Sequence, residues 1–196
     1  DRYYAKAMEC YQKAAELGNT AAMSNVGYLY DMGWGVERDY ATARAWYEKS
    51  AELGNATGMN NLGHLYDAGL GVARDYAKAM EWYEKAVERG NSDAMENIGY
   101  MYHFGEGVEQ DYAKAKEWYE KAAALGNASA MNQIGWLYVN GDGVQQDYGK
   151  AIEWFKKAAE GGNADAAYNI GYMYIAGMGV SQDLTAAKEW LQKADD

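Results

Sequence analysis

Residues 20–54 read TAAMSNVGYLYDMGWGVERDYATARAWYEKSAELG, and Asn55 follows. This stretch decides the fold because its landmarks return at a fixed distance. Gly54-Asn55 has counterparts at Gly18-Asn19, Gly90-Asn91, Gly126-Asn127 and Gly162-Asn163, each 36 residues from the next. Gly33 belongs to a column completed by Gly69, Gly105, Gly141 and Gly177. Trp46 belongs to another, with Trp82, Trp118, Trp154 and Trp190. Tyr30 belongs to a third, with Tyr66, Tyr102, Tyr138 and Tyr174. A constant period between about 20 and 50 residues marks a solenoid built from one supersecondary unit.

Each unit reads as two helices. Ala22, Met23, Val26, Leu29 and Tyr30 recur at steps of three and four, the apolar face of a first helix, A. Gly33 and Gly35 interrupt it. Asp39 then stands where an N-cap carboxylate accepts orphan backbone amides. Helix B follows, with Tyr40, Ala43, Trp46, Tyr47, Ser50 and Ala51 turned toward the core. Gly54 ends it and Asn55 opens the next helix A. The alanine column 43, 79, 115, 151 and 187 lets the helices approach closely. Tyr4, Cys10 and Tyr11 align with Tyr40, Trp46 and Tyr47, so residues 1–18 are a half-repeat holding helix B alone. Five repeats follow, at 19–54, 55–90, 91–126, 127–162 and 163–196, giving one repeat domain over 1–196. The expectation is eleven helices and no strand. The tryptophan column admits no polar residue, except Cys10 in the half-repeat, and is expected to be buried. A half-unit leaves an open hydrophobic end, so the reading expects either a longer parent array or a half-unit that serves as a cap.

Composition narrows the function. The 196 residues are 49% hydrophobic, enough for a sizeable core. Eighteen basic residues against 29 acidic give a formal charge of −11, which argues against nucleic acid and against anionic membrane surfaces. Cys10 is the one cysteine, so neither an internal disulfide nor a cysteine-built zinc site is available. No apolar run approaches the ~18 residues of a membrane span, and no signal peptide is read before Asp1. His64 and His103 lie 39 residues apart in different columns, without a His-x-x-x-His or cysteine partner, so no metal is expected. Gly69-Leu70-Gly71 and its equivalents follow helices and lack the third glycine of a dinucleotide loop, so no cofactor is expected. Asn55-Ala56-Thr57 and Asn127-Ala128-Ser129 match glycosylation acceptors, but both asparagines sit where a turn and helix start need them.

The pattern carried by Met95, Ile98, Gly99, Tyr102, Gly105, Gly107, Val108, Asp111, Tyr112, Ala115, Trp118, Tyr119, Lys121, Ala122, Ala123, Gly126 and Asn127 resembles the Sel-one-like repeat family, 36-residue relatives of tetratricopeptide repeats. The resemblance covers essentially the whole chain. It implies an all-α fold, a right-handed α/α superhelical solenoid with helix A lining a concave groove. It also implies an adaptor or scaffold role, common in bacterial secreted and signalling proteins and in quality-control complexes. Two features depart from the family pattern. No cysteine pair occurs in each repeat, and Glu37, Ala73, Glu109, Gln145 and Ser181 stand where proline often follows the Gly-Val step. Cysteine-rich relatives are linked with β-lactam binding, yet no serine here has a lysine three residues later.

Subtracting the repeated aromatics leaves Tyr28, Tyr100, Trp136 and Tyr172 in one column of helix A, completed by His64. By helical spacing their face also holds columns 24, 25 and 31. Column 24 varies as Ser24, Asn60, Glu96, Asn132 and Tyr168; column 31 as Asp31, Asp67, His103, Val139 and Ile175. Column 25 is nearly constant, as Asn25, Asn61, Asn97, Gln133 and Asn169. Its amides suit either an extended peptide backbone or a tie between neighbouring helices. The expected groove residues are Asn25, Tyr28, Asp31, Asn61, His64, Asp67, Glu96, Asn97, Tyr100, His103, Asn132, Trp136, Val139, Tyr168, Asn169, Tyr172 and Ile175. Their gradient, acidic early and apolar late, predicts a protein or peptide partner with basic residues at one end and apolar or aromatic anchors at the other. The leading reading is a non-catalytic binding scaffold, monomeric. The alternatives are a self-association module and, more weakly, a carbohydrate-binding protein or enzyme. Cytoplasm and bacterial periplasm or secretion both remain open.

Overall fold

The computed structural model describes residues 2–195. Among them are eleven α-helices and no strand: α1 (Arg2–Glu16), α2 (Thr20–Met32), α3 (Tyr40–Glu52), α4 (Ala56–Ala68), α5 (Tyr76–Val87), α6 (Ser92–Phe104), α7 (Tyr112–Ala124), α8 (Ala128–Asn140), α9 (Tyr148–Glu160), α10 (Ala164–Ala176) and α11 (Leu184–Asp195). Even-numbered helices are the A helices and odd-numbered ones the B helices. Contacts group the chain into two compact units, one ending at Ala94 and one beginning at Met95. In unit 1, α2 packs on α3 and α4 on α5, with α1 against α2 and α3 against α4. Unit 2 repeats the scheme, α8 on α9 and α10 on α11, with α7 against α8 and α9 against α10.

The caps sit where the 36-residue columns put them. Asn127 Oδ1 accepts from the Ala130 N–H at 2.8 Å and Asn55 Oδ1 from Gly58 at 2.8 Å, so both glycosylation-like asparagines are helix caps. Asp147 accepts from the Lys150 N–H at 3.0 Å to start α9. Gly141 ends α8 with φ +80°, a left-handed conformation that a side chain disfavours, and its N–H returns to the Leu137 carbonyl. The Asp147 N–H then donates to the Tyr138 carbonyl at 2.9 Å, closing the A-to-B turn; Asp39 and Tyr30 do the same at 3.0 Å.

The core differs from the expectation in one column. Trp46, Trp82, Trp118, Trp154 and Trp190 are half-buried, not buried. A lysine three residues along covers the outer face of each ring, with Nζ 5.3, 4.0, 4.2, 4.3 and 4.2 Å from the respective centroids. The enclosed column is the next residue. Tyr47, Tyr83 and Tyr119 are 0% exposed and Phe155 is 1%. Each of these rings rests against a glycine of helix A. A Cβ on Gly99 would lie 2.7 Å from two ring carbons of Tyr119, and one on Gly135 would lie 2.4 Å from Phe155. The same virtual Cβ would stand 3.3 Å from the Ala115 carbonyl oxygen, so glycine and alanine together bring the two helices close. The tryptophan points one residue round the helix from this contact, toward the lysine-covered flank.

Neighbouring aromatics should therefore respond unequally to truncation. Tyr119→Ala removes an enclosed ring and is expected to cost roughly 3–5 kcal/mol. Trp118→Ala, stripping a half-buried ring, is expected to cost about 1–2 kcal/mol. Urea titration of both variants checks the order, and a larger loss for Trp118→Ala contradicts this account.

Candidate functional site

The A-helix faces carry the predicted groove residues, and each unit arranges them in its own way. In unit 1, α2 and α4 expose Asn25, Tyr28 and His64. Tyr28 makes an edge contact with Trp34 at 5.5 Å. Asp31 is buried, and Asp67 and Asn61 are half-buried. The reason lies in helix B. The Tyr47 hydroxyl donates to Asp31 Oδ2 at 3.1 Å, and the Tyr83 hydroxyl to Asp67 Oδ2 at 3.3 Å. The Asn61 side chain lies within reach of the Tyr47 hydroxyl. Asn61 thus ties its repeat to the preceding one.

Burial pushes the Asp31 and Asp67 carboxyls above the ordinary value of 3.8, while the tyrosine hydroxyls, His64 and the nearby Arg38 and Arg74 pull the other way. Asp67 Oδ1 is buried without a hydrogen-bond partner. Tyr47 is itself pushed well above its ordinary value, first by burial and then by the Asp31 charge.

In unit 2, Glu96 accepts from the Ser129 hydroxyl. Asn169 Nδ2 donates to Asn132 Oδ1 at 3.0 Å, a second inter-repeat tie, and Asn132 is buried. Asn97 is half-buried. His103 is buried and has two ring partners: Tyr119 Oη at 3.4 Å from Nδ1, and Asp142 Oδ2 at 3.4 Å from Nε2. Burial holds His103 below its ordinary 6.5 despite Asp142. A neutral imidazole fits both partners, with Nε2–H donating to Asp142 and Nδ1 accepting from Tyr119. Its ring also stacks on Phe104, centroids 4.4 Å apart and planes 12° from parallel.

The residues of the aromatic column are exposed to solvent. Exposure is 40% at Tyr28, 41% at Tyr100, 36% at Trp136 and 54% at Tyr172. Tyr168 and Ile175 are also exposed, and Val139 is half-buried. Trp136, Val139, Phe155, Asn169, Tyr172, Met173 and Met178 line a cleft of about 70 Å³. Three of its walls, Phe155, Met173 and Met178, were missed by sequence reasoning. Phe155 sits in the enclosed ring column, and Met178 in a turn column that reads Trp34, Leu70, Glu106, Asp142 and Met178. A signal existed, since column 31 changes with the ring column: Asp31 with Tyr47, Asp67 with Tyr83, His103 with Tyr119, then Val139 with Phe155 and Ile175 with Leu191. The acidic-to-apolar gradient of column 31 therefore follows the hydroxyl it has to satisfy inside the fold.

Charge is segregated between helices. The five A helices contain Asp31, Asp67, Asp93, Glu96 and Asp165 and none of the 18 lysines and arginines. Several B-helix lysines are held over aromatic rings, or over Tyr66, Tyr102 and Tyr138 while also pairing with an N-cap aspartate. Among the described residues, no cluster of His, Cys, Asp and Glu is placed to hold a metal, and no helix is long and apolar enough to cross a membrane.

The raised carboxyls give a pH prediction. In the folded chain Asp31 and Asp67 keep their protons to higher pH than in the unfolded chain. The stability this contributes is full below 3.8 and is lost as pH rises through the raised folded value. Asp31→Asn leaves an acceptor for Tyr47 and has no charge to desolvate, so it should match or exceed the native chain at pH 7 and lose that advantage toward pH 4. Thermal midpoints at both pH values check this; an Asn variant that melts clearly lower at pH 7 contradicts it.

The Sel1 repeat family model matches residues 4–19, 20–55, 56–91, 92–127, 128–163 and 164–194. Among solved structures, a Sel1 repeat protein from Oxalobacter formigenes is 35% identical with a TM-score of 0.84, covering 98% of this chain and 79% of that one. The protective antigen c5321 of uropathogenic Escherichia coli, described as displaying an SLR fold, is 37% identical with a TM-score of 0.76, over 96% of this chain and 40% of that one. The immunity protein Pa5087 from Pseudomonas aeruginosa is 25% identical with a TM-score of 0.77, over 98% and 75%. No curated relative matches the chain by sequence.

Proposed function

The chain belongs to the Sel1 repeat family, and from that premise we propose that it is a non-catalytic scaffold that binds a protein or peptide on its A-helix faces. Family membership supports the general role, since Sel1 repeats generally serve as protein-interaction scaffolds. The names carried by its structural relatives, an immunity protein and a protective antigen, are not names of enzymes.

The observation that carries the reading is the outward column of Tyr28, Tyr100, Trp136 and Tyr172 on helices without a lysine or arginine. Exposed tyrosine and tryptophan on a rigid frame supply large contact area at low entropic cost, as interface hot spots do. The exposed acids Asp93 and Asp165 steer a cationic partner toward that face. Tyr28, His64, Tyr100, Trp136, Tyr168, Tyr172 and Ile175 are the contact residues in this reading, with Asn25 beside them. Asp31, Asp67, His103 and Asn132 act from behind by fixing the backbone that presents them.

Selection from a random peptide display library at low salt tests it. Selected peptides should be enriched in Lys and Arg and should weaken at least tenfold against the Trp136→Ala/Tyr172→Ala double variant. Against Lys121→Ala, on the B-helix flank, they should be unchanged. A library that yields no binder, or binders indifferent to the aromatic pair, overturns the proposal.

A further inference from the structure

Resting on that binding reading, we propose that the cleft between α8 and α10 seats one aliphatic side chain of a cationic peptide segment, and that a lysine or arginine stands two or three residues from it. The cleft is a repeat position emptied of its usual contents. One repeat earlier the same columns hold Tyr119, His103 and Asp142, joined by hydrogen bonds through the imidazole. In unit 1 they hold Tyr47 and Asp31, with Asn61 beside the hydroxyl. At this repeat Phe155 has lost the hydroxyl, Val139 replaces the polar partner, and Met178 stands in the column of Asp142. The space that a polar pair occupies elsewhere is here an open, hydrocarbon-lined hole.

Its walls define the occupant. Phe155 and Met173 are buried, Trp136 and Tyr172 stand exposed, and Val139 and Met178 complete an apolar lining. Asn169 is the single polar wall, and its amide nitrogen is engaged by Asn132. A space of about 70 Å³ is roughly half of the ~150 Å³ apolar cavity that accepts benzene. It therefore suits the branched or linear chain of Leu, Ile or Met better than a ring. An apolar cleft of this kind stays poorly hydrated, so filling it displaces little bound water.

Charge fixes the rest of the segment. Helices α8 and α10 contain no lysine or arginine. Asp165 lies four residues before Asn169 and seven before Tyr172, hence on the same face of α10. At 1.5 Å per residue, that separation is roughly 6–10 Å, the span of two or three residues of extended peptide. Asp142, beyond the end of α8 and in the column of Met178, adds a second carboxylate to this end of the unit, 3.4 Å from the ring of His103.

The experiment uses labelled peptides and the full chain, read by fluorescence anisotropy. Peptides carry a fixed Lys-x-x-Leu core, with Lys-x-x-Ala, Lys-x-x-Asp and Glu-x-x-Leu as comparisons in the same flanks. Lys-x-x-Leu should bind at least tenfold more tightly than Lys-x-x-Ala, and its binding should fall at least tenfold with the double variant Val139→Asp/Phe155→Tyr. That variant rebuilds the Asp–Tyr pair of the first repeat and plugs the hole. Circular dichroism checks its fold, and Val139→Met, which fills the hole with hydrocarbon, gives the same answer should the polar plug unfold the chain. Lys-x-x-Leu indifferent to both fillings overturns the cleft proposal, even where library-selected peptides still depend on Trp136 and Tyr172, which leaves the broader reading standing. Glu-x-x-Leu binding as well as Lys-x-x-Leu overturns the cationic assignment. A concentration-dependent dimer in sedimentation that either filling abolishes makes the occupant a second copy and overturns the peptide. Lys-x-x-Leu that does not bind at all overturns the cleft proposal, and a library that also yields no binder removes the broader reading with it.

Discussion

A ring of helix B resting on a glycine of helix A is the contact from which the rest of each repeat follows. Only a residue without a Cβ lets Tyr47 or Tyr119 come so near, and the alanine one turn earlier on helix B lets the backbones close around it. Enclosing a tyrosine then creates a second demand, because a buried hydroxyl needs a partner. The residue four places after the glycine is on the same helical face and supplies it, as Asp31, Asp67 or His103. The position before that one in space, the outward aromatic, inherits its direction from the same backbone. Glycine, ring, polar partner and outward residue form one unit of construction in the first three repeats, and the last two keep the glycine contact with an apolar residue in the partner's place.

The helical organisation was legible in the sequence because it rests on punctuation. Gly33, Asp39, Gly54 and Asn55 act through local backbone chemistry, which needs no knowledge of neighbours, and helices begin and end beside them. Burial of the tryptophan column was not legible. An unvarying Trp looks like core by composition, but the lysine three residues along converts its exposed face into a cation–π surface, so constancy there reflects a local pair. The outward column of Tyr28, Tyr100, Trp136 and Tyr172 was found by subtraction and does face solvent. Asp31 and Asp67 read as ligand-facing acids because the helix wheel says which side a residue is on and nothing about how deep it sits. Depth depends on a tyrosine sixteen residues away, visible only when two columns are compared together. The cleft escaped notice for the same reason: a missing hydroxyl at Phe155 has no signature except beside Val139 and Met178.

Helices A and B divide the chemistry between them. Cations sit on B and on the turn, engaged with aromatic rings or with the carboxylates that cap the same helix. Such surface pairs contribute little to stability individually. Their placement keeps positive charge off the A helices, where aromatic side chains and a few acids are presented on a frame fixed by asparagine ties such as Asn169 to Asn132. In the proposed binding role, a face of this composition would discriminate among partners by sign of charge before any close packing occurs.

The pairing of column 31 with the ring column has an evolutionary corollary. A lone change from Val139 to aspartate would leave a carboxylate sunk against Phe155 without a donor, and a lone change from Tyr47 to phenylalanine would strand Asp31. Either intermediate is handicapped, so the two positions are expected to drift as linked pairs, with strong epistasis between sites sixteen residues apart. Because the repeats are duplicates of one another, a whole pair can instead be copied from one to the next by recombination within the gene. The repertoire of clefts in such an array would then expand by shuffling tested combinations, and diversity among descendants should cluster into a few discrete pair types instead of a continuum.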